Sequence, residues 1–317
     1  MTIDPIHGLI IIDKPLGITS HAVVQRVKKI LHVSKAGHTG TLDPNASGVL
    51  PVCLNEGTKL SPFLTDSEKE YEGTLRLGME TDTQDGTGRV IRELHPIAVT
   101  ESDIEAAFRD FQGTIKQIPP MYSAIKHKGV PLYRLARQGK YVERVERSVE
   151  IRELSILRIA LPDITFRVVC SKGTYVRTLV NDIGRSLGSC AYLEKLRRTR
   201  SGNFLLERAV TLSMLQDASL EEIKRRWVIS LSAALSSLPS VTIDDDLCQK
   251  VRRGQTVTVE EFHQKAPQIA LRKGTVKVVD LGNQLVAIAR IKNTDFATDE
   301  SHKGNPLWNL LRVFNAE

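Results

Sequence analysis

The chain has 317 residues, 41% of them hydrophobic, and a net charge of +7, which suits a globular protein of two domains with a substantial core. Its four cysteines lie far apart and form no Cys-x-x-Cys pair, which argues against a zinc site and a disulfide framework. Unpaired cysteines are typical of a reducing compartment, and we expect the protein to be cytoplasmic.

The first predicted elements are a buried strand and an amphipathic helix. Residues 7–13 contain a run of four apolar residues, 9–12, which indicates a buried strand that ends at Lys14-Pro15. The run is too short for a signal peptide or a membrane span, so we expect no membrane association. Thr19 or Ser20 can cap the helix that follows, because a hydroxyl oxygen accepts from the free N–H groups of the first turn. The apolar residues of this helix recur at helical spacing: Val23, Val24, Val27, Ile30 and Leu31.

Residues 37–50, GHTGTLDPNASGVL, form the most informative segment of the chain. Gly37, Gly40 and Gly48 permit backbone angles that other residues resist, and Asp43-Pro44 is typical of a turn. The Asp43 carboxylate would therefore sit on a stiff loop. From spacing alone, a surface turn with an Asx-type hydrogen bond is the commoner explanation. A short strand is predicted over residues 49–54, where the segment ends.

Further helices and one strand are predicted up to residue 238. A capping box at Thr100 and Asp103 starts a helix that stops at Gly113. Residues 164–170 are typical of a strand, and a helix follows from Val176 until Gly188. A second capping box joins Ser219 and Glu222. Another short helix contains Leu231, Ala234 and Leu235.

The character of the chain changes after Pro239. Residues 255–259, 275–281 and 284–291 are predicted strands, with Gly282-Asn283 as a tight turn. We therefore predict a larger domain over residues 1–238 and a small β-rich domain over 239–317. Because strands and helices are mixed without regular βαβ alternation, the predicted fold class is α+β.

Positive charge is concentrated in one block of the sequence. Residues 116–210 carry 19 Lys and Arg against 8 Asp and Glu. Such asymmetry suits a polyanion, with RNA as the natural candidate, although a solvated basic face without a ligand has the same composition. The block includes a basic run that we expect to meet an RNA backbone: Lys195, Arg197, Arg198 and Arg200.

Five segments resemble, in order, the motifs of one enzyme family. They are residues 8–29, 37–44, 69–88, 117–151 and 170–184. The family is the TruB-type tRNA pseudouridine synthases, which convert uridine 55 in the T-loop of tRNA to pseudouridine. The resemblance implies a mixed β-sheet catalytic domain with a central RNA-binding cleft. The C-terminal residues resemble, less specifically, the small RNA-binding domain called PUA.

Three residues are catalytic if the resemblance holds. Asp43 would be the essential carboxylate, and whether it adds to the sugar, adds to the base or removes a sugar proton stays open. Arg177 would pair with it and keep it ionised. Tyr71 would stack on the target base, and its hydroxyl could move a proton from C5. The alternatives are a turn carboxylate, a surface arginine and a packed strand tyrosine.

The resemblance also assigns six residues to substrate binding. The histidine would fill the space left by the flipped base, and the two lysines would contact phosphates. The leucine and the tyrosine would line the base pocket, with the aspartate close to the substrate. Ordinary surface, turn or core positions are the alternatives for each. The six are His38, Lys14, Lys35, Asp85, Tyr175 and Leu196.

The reaction implied by the resemblance is an isomerisation that needs no cofactor. The sequence contains no phosphate-binding loop, dinucleotide fingerprint or metal-ligand cluster. We expect a monomer that acts on tRNA without an obligatory protein partner or a membrane. Two other functions compete: a synthase guided to ribosomal RNA by a partner ribonucleoprotein, and an RNA-folding factor without catalysis.

Overall fold

The computed structural model describes residues 5–265, 273–291 and 306–315. The strands up to residue 229 are β1 (Gly8–Lys14), β2 (Ala36–His38), β3 (Ala46–Leu54), β4 (Lys69–Leu77), β5 (Met79–Thr81), β6 (Val90–Glu93), β7 (Gly113–Gln117), β8 (Lys126–His127), β9 (Val130–Pro131), β10 (Arg147–Ala160), β11 (Asp163–Cys170), β12 (Ala191–Ser201), β13 (Phe204–Leu205) and β14 (Val228–Ile229). The helices before residue 240 are α1 (Ser20–Ile30), α2 (Ser61–Leu64), α3 (Glu101–Asp110), α4 (Leu132–Arg137), α5 (Val176–Ser186), α6 (Leu212–Asp217), α7 (Leu220–Arg226) and α8 (Leu231–Ala234).

One mixed sheet organises this part of the chain. Within the described residues it has ten strands, in the order β14-β1-β3-β12-β4-β11-β10-β7, with β2 paired to β3 and β13 to β12. Strand β12 runs parallel to β3 and antiparallel to β4. The predicted α+β class with a mixed sheet is confirmed. The position of β12 brings two distant segments, residues 46–54 and 69–77, to either side of one strand.

The two faces of this sheet differ in chemistry. Residues of α1, α3 and α5 join the sheet's apolar side chains in one core, in which Phe108 of α3 meets Phe166 of β11 edge to face. The other face carries ion pairs. Arg76 binds both oxygens of Asp163 at 2.7 and 2.8 Å. The second face is thus charged along β4 and β11, whereas at β1 and β3 it is apolar, with Leu9, Ile11 and Val49 buried there.

A second, four-stranded sheet follows residue 239. Its strands are β15 (Ser240–Thr242), β16 (Gly274–Val279), β17 (Leu285–Ile291) and β18 (Trp308–Val313), in that order across the sheet. Helices α9 (Asp245–Arg252) and α10 (Val259–Lys265) lie in the same part of the chain. An apolar cluster joins Leu9 and Val49 of the large sheet to Ile288 and Phe314. The predicted boundary between residues 238 and 239 stays a prediction, because a shared core joins the two sheets.

Most predicted elements agree with the structure. Thr19, and not Ser20, caps α1, since its side chain accepts from the backbone N–H of Ala22 at 3.0 Å. The capping box at Thr100 and Asp103 is present. The predicted strand at residues 49–54 is longer at its start and begins at Ala46. The predicted strands over 275–281 and 284–291 correspond to β16 and β17.

The strand predicted over residues 255–259 is wrong. Thr258 instead caps helix α10: its hydroxyl accepts from the backbone N–H of Glu261 at 3.2 Å, and the Glu261 carboxylate accepts from the backbone N–H of Thr258 at 3.2 Å. The alternation of Thr and Val favoured a strand. The reciprocal cap, which satisfies two free N–H groups of the first turn, decides for a helix.

Candidate active site

The loop that carries Asp43 lies between β2 and β3 and is tied to helix α1. The Ser20 hydroxyl donates to the carbonyl of Leu42 at 2.9 Å and accepts from the N–H of Leu42 at 2.8 Å. Because both backbone groups of Leu42 use one buried hydroxyl, the residue before Asp43 is fixed. This explains why Ser20 is not the cap of α1.

Gly48 is the glycine of this segment that the backbone requires. Its φ is +100°, and a Cβ there would lie 2.2 Å from the carbonyl oxygen of Arg198, which is its partner on β12. Gly37 and Gly40, in contrast, do not have positive φ. The predicted backbone freedom is thus used at Gly48, where β3 and β12 approach closely.

Gly48→Ala is expected to lower the free energy of unfolding by about 3 kcal/mol or more, because it combines strain at positive φ with a steric clash. The matched control is Gly188→Ala, since Gly188 has φ +66° and open space around its Cβ position. There the expected loss is about 1 kcal/mol. Urea unfolding of both variants measures the difference, and equal losses would contradict the close approach.

Asp43 and Arg177 form the central ion pair of the site. The Arg177 Nε lies 2.9 Å from the Asp43 Oδ2, with the arginine side chain 5% exposed and the aspartate side chain 38% exposed. Arg177 is in the first turn of α5, the helix that packs against β12. The structure therefore joins two residues 134 positions apart in one ion pair, open to solvent on the carboxylate side.

The remaining nitrogens of Arg177 are held by backbone carbonyls. Nη1 donates to the carbonyl of Thr83 and Nη2 to that of Tyr122, each at 3.0 Å. Asp85 adds a second carboxylate, with its Oδ2 at 3.9 Å from Nη1. A guanidinium fixed on all three nitrogens presents its Nε to Asp43 in one orientation.

Asp85 is itself fixed within its turn. Its Oδ1 accepts from the Thr83 hydroxyl at 2.8 Å, from the backbone N–H of Thr87 at 2.9 Å and from the Thr87 hydroxyl. The Asp85 side chain is thus both a turn residue and a charge close to Arg177. The two interpretations of Asp85 that the sequence left open are both compatible with this position.

The electrostatics of Asp43 are a balance of burial and charge. Burial raises the pKa of Asp43 above its ordinary value, and the Arg177 guanidinium opposes this rise. The Asp85 charge also raises the pKa of Asp43, and the Lys14 charge also lowers it. A carboxylate that a neighbouring guanidinium helps to keep ionised is suited to act as a nucleophile or a base.

Tyr71 lies on β4 directly opposite Arg198 of β12. Its side chain is 9% exposed and faces the helix-covered side of the sheet. Burial raises the pKa of the Tyr71 hydroxyl, and Arg198 opposes this rise. The Asp43 carboxylate lies near enough to raise that pKa as well. The Asp43 carboxylate and the Tyr71 hydroxyl are therefore close enough for the charge of one to affect the ionisation of the other.

A narrow pocket opens at the ion pair. Leu196 lies on its wall, and its neighbours across the sheet are Ala46 of β3 and Gly73 of β4. Apolar and charged side chains both line the pocket: Asp43, Asn45, Ala46, Asp85, Arg177, Leu193, Glu194, Lys195 and Leu196. A lining of this kind offers a flat polar base both an apolar wall and charged hydrogen-bond partners beside the ion pair.

Lys14 does not occupy the position of a phosphate-binding lysine. It is 0% exposed, and its ammonium donates to the carbonyls of Pro15, Ile18 and Pro44 at 2.8, 2.8 and 3.2 Å. Burial lowers the pKa of Lys14 to about 8, although the nearby Asp43 raises it. The prediction of a phosphate contact is wrong for this residue, because the side chain holds the backbone beside Asp43.

The other predicted binding residues differ in exposure. Lys35 is exposed, as a phosphate contact requires. His38 ends β2 and is half-buried. Its Nδ1 has no hydrogen-bond partner among the residues that the structure describes, and burial lowers the pKa of its imidazole. Tyr175 precedes α5, and Gln117 fixes its backbone by accepting from its N–H at 2.8 Å and donating to its carbonyl at 3.1 Å.

Two further cations are buried, and the sequence analysis did not predict their burial. Lys69 lies on β4 two residues before Tyr71 and donates to the carbonyls of Thr65, at 2.6 Å, and Ser67. Burial lowers the pKa of Lys69 to about 8. Arg198 is 1% exposed, so the prediction that the whole basic run meets RNA is wrong for this residue. Strand alternation was the available signal, since Arg198 falls on the face opposite to Arg197.

No group of three or more His, Cys, Asp or Glu side chains that could hold a metal ion occurs among residues the structure describes. Over the same residues, no helix combines the length and the apolar character that crossing a membrane requires.

Comparison with known families gives two adjacent matches. Residues 28–176 match the TruB family pseudouridylate synthase (N terminal domain), and residues 177–237 match the tRNA pseudouridylate synthase B C-terminal domain. The boundary between the two matches lies at Arg177. The ion pair with Asp43 therefore joins one matched region to the other.

Individual proteins resemble the chain over most of its length. A tRNA pseudouridine synthase B of Burkholderia pseudomallei (strain 668) is 46% identical over 283 residues, covering 89% of this chain and 92% of that protein. A tRNA pseudouridine synthase B of Syntrophus aciditrophicus (strain SB) is 44% identical over 311 residues, covering 97% and 98%.

Solved structures of larger assemblies contain a similar fold. A chain from a crystal structure of a Cbf5-Nop10-Gar1 complex superposes with a TM-score of 0.72 at 32% identity, covering 97% of this chain and 84% of that one. A chain from a structure of an H/ACA RNP bound to a substrate RNA containing 2'-deoxyuridine gives 0.72 at 30% identity, covering 97% and 85%. The similarity extends across both sheets.

Proposed function

Because the chain belongs to the TruB family of pseudouridylate synthases, we propose that it converts uridine 55 in the T-loop of tRNA to pseudouridine. The family makes it a tRNA pseudouridine synthase and an isomerase. The proposal adds the position of the uridine, the flipping of its base and the residues that react.

The Asp43–Arg177 ion pair carries this proposal. A carboxylate at 2.9 Å from a buried guanidinium, at the edge of a pocket, can stay ionised and still reach a ligand. A uridine in an RNA loop can reach such a pocket only after its base has swung out of the stack. To His38, half-buried at the end of β2, we assign the filling of the space that the base leaves.

The isomerisation exchanges one bond for another. The bond from N1 of the base to C1′ of the ribose breaks, the base turns, and C5 bonds to the same C1′. C5 then loses its proton, and N1 gains one. Asp43 supplies the carboxylate that adds to the nucleotide or removes a sugar proton. No oxidant, reductant or group donor enters this balance.

Tyr71 supplies the platform for the base and a group near C5. An aromatic ring stacks on a base with about 1–3 kcal/mol of binding energy. Its hydroxyl lies close enough to Asp43 and Arg198 for both charges to shift its pKa. We assign to this hydroxyl the transfer of the C5 proton, which is the last step of the isomerisation.

Tyr71→Phe is expected to lower the single-turnover rate by roughly 100-fold or more and to leave tRNA affinity within about threefold, since the ring remains and the proton-transfer group is lost. Tyr192→Phe is the matched control, because Tyr192 is a buried strand tyrosine whose hydroxyl contacts Glu194 and Arg76. Rates and dissociation constants on one tRNA transcript measure both. A Tyr71→Phe rate equal to that of the control would exclude proton transfer.

A basic segment beside the site supports RNA as the substrate. We define it as residues 121–147, which include α4. Six of its basic side chains are exposed and make no salt bridge within the described part of the chain: Lys126, Lys128, Arg134, Arg137, Lys140 and Arg147. The segment begins next to the catalytic pair, since the Tyr122 carbonyl binds Arg177. Charges of this kind bind phosphates and make affinity salt-dependent.

The proposal includes a monomer that acts alone in the cytoplasm. The Cbf5 chain that superposes on this one is held in a complex with Nop10 and Gar1. The tRNA pseudouridine synthase B of Syntrophus aciditrophicus matches over a similar share of this chain at higher identity. The higher sequence identity to the tRNA enzyme, 44% against 32%, favours a tRNA enzyme that needs no guide over a guided synthase.

One assay tests the proposal and its alternatives. Purified protein is incubated with an unmodified tRNA transcript, and pseudouridine is mapped at each uridine. We expect pseudouridine at position 55 and none in a transcript with cytidine there. Modification only after a partner ribonucleoprotein is added would favour the guided synthase. Binding with no pseudouridine at any position would favour the RNA-folding factor and would refute the proposal.

A further inference from the structure

Arg198 is a buried cation that has no role in the reaction proposed above. Its Nε donates to the carbonyl of Val49 at 2.7 Å, and its Nη2 donates to the carbonyl of Gly40 at 3.1 Å. Val49 lies in β3, whereas Gly40 lies in the loop before it, three residues from Asp43. A single guanidinium therefore joins the two ends of the segment that carries the carboxylate.

The same guanidinium also reaches Tyr71. Arg198 and Tyr71 are direct neighbours across β12 and β4, so their side chains lie on the same face of the sheet. Burial raises the pKa of the Tyr71 hydroxyl, and the charge and hydrogen bonding of Arg198 oppose that rise. Arg198 thus binds the loop of Asp43 and lies directly beside Tyr71 on the same face of the sheet.

The adjacent arginine of the strand behaves differently. Arg197 binds Asp13 at 2.8 Å and the Ser47 hydroxyl at 3.1 Å on the charged face, with its side chain 40% exposed. Arg198 is 1% exposed and has no carboxylate within salt-bridge range among the residues described here. Burying a charge without a counter-ion is costly, and carbonyl oxygens only partly offset that cost.

We propose that Arg198 is a positioning residue whose single guanidinium holds the Asp43 loop and the Tyr71 hydroxyl in a fixed position relative to each other. The inference rests on the proposed function, in which Asp43 and Tyr71 act on the same nucleotide. Arg198 does not touch the nucleotide; it acts through the Gly40 carbonyl and the phenol. Only a forked side chain can make contacts with both, together with Val49.

Arg198→Lys and Arg198→Met test this inference, with Arg76→Met as the control, because Arg76 is a strand arginine outside the basic run that pairs with Asp163 on the charged face. Lysine keeps the buried charge and loses the fork, so that variant separates geometry from charge. For both Arg198 variants we expect folded protein, tRNA affinity within about threefold and a single-turnover rate roughly 100-fold lower, because small misplacements of reacting groups have effects of this size. For Arg76→Met we expect rate and affinity within about threefold of the parent chain.

Three readouts decide the outcome: thermal unfolding, the tRNA dissociation constant and the single-turnover rate at saturating enzyme. Unchanged rates in both Arg198 variants would overturn the inference. So would losses that appear only in tRNA affinity, or unfolding of both variants, which would make Arg198 a residue of the core alone. A parent chain that forms no pseudouridine would instead refute the proposed function.

Discussion

Asp43→Asn is expected to lower the rate of pseudouridine formation by roughly four orders of magnitude or more, the scale seen when a reacting side chain is removed. The amide has the shape of the carboxylate, and its oxygen can still accept from Arg177 Nε, which lies 2.9 Å from Oδ2 in the parent chain. It cannot add to a sugar carbon or a base as a carboxylate does, and it cannot take a proton. Binding of tRNA should stay within about threefold, because the pocket keeps its form.

The control for this variant is Asp163→Asn. Asp163 also forms a close ion pair with an arginine, and its side chain is 35% exposed against 38% for Asp43. It lies on β11, outside the pocket that contains Asp43. We expect its rate within about threefold of the parent chain. Single-turnover assays on one transcript compare the two variants, and comparable rates would remove Asp43 from the reaction.

Arg177→Met is expected to lower the rate roughly 1,000-fold and the free energy of unfolding by about 2–4 kcal/mol. The substitution leaves Asp43 without its guanidinium and two backbone carbonyls, those of Thr83 and Tyr122, without a donor. Burial already raises the pKa of Asp43, and Arg177 opposes that rise. Without Arg177 the pKa of Asp43 rises further.

The pH dependence of the Arg177 variant follows from this shift. The ionised form of Asp43 reacts, so activity is lost as the pH falls through the pKa of Asp43 in the folded protein. A higher pKa moves the acid limb of the pH–rate profile to higher pH, by about 1 unit or more. Arg185→Met is the control on the same helix, because Arg185 is 56% exposed and binds Glu80 at 2.8 Å. An unshifted acid limb in Arg177→Met would show that the guanidinium does not act on the carboxylate.

Helices and strands with a clear period were predictable because local chemistry specifies them. The cap at Thr100 and the apolar spacing of α1 and α5 depend on residues a few positions apart. The error at residues 255–259 has the same origin. Two local patterns competed there, and the reciprocal bonds between Thr258 and Glu261 outweighed the alternation of Thr and Val.

Charged residues were harder to assign because sequence position does not reveal their burial. Lys14 and Arg198 both belonged to patterns that favour phosphate binding, yet both are buried and bind backbone carbonyls. Lys35 is exposed, as predicted for a phosphate contact. Whether a cation meets solvent or a carbonyl depends on which strand lies beside it, and for Arg198 that strand is β3.

The sequence by itself determined the family, the α+β class and the residue types of the reaction, because motifs and periodicity are properties of neighbouring residues. The tertiary structure alone decided how these residues meet. It placed Arg177 at 2.9 Å from Asp43, used Gly48 where β3 approaches β12, and set Arg198 against Tyr71. Contacts of this kind join positions far apart in the chain, and strand order and register fix them.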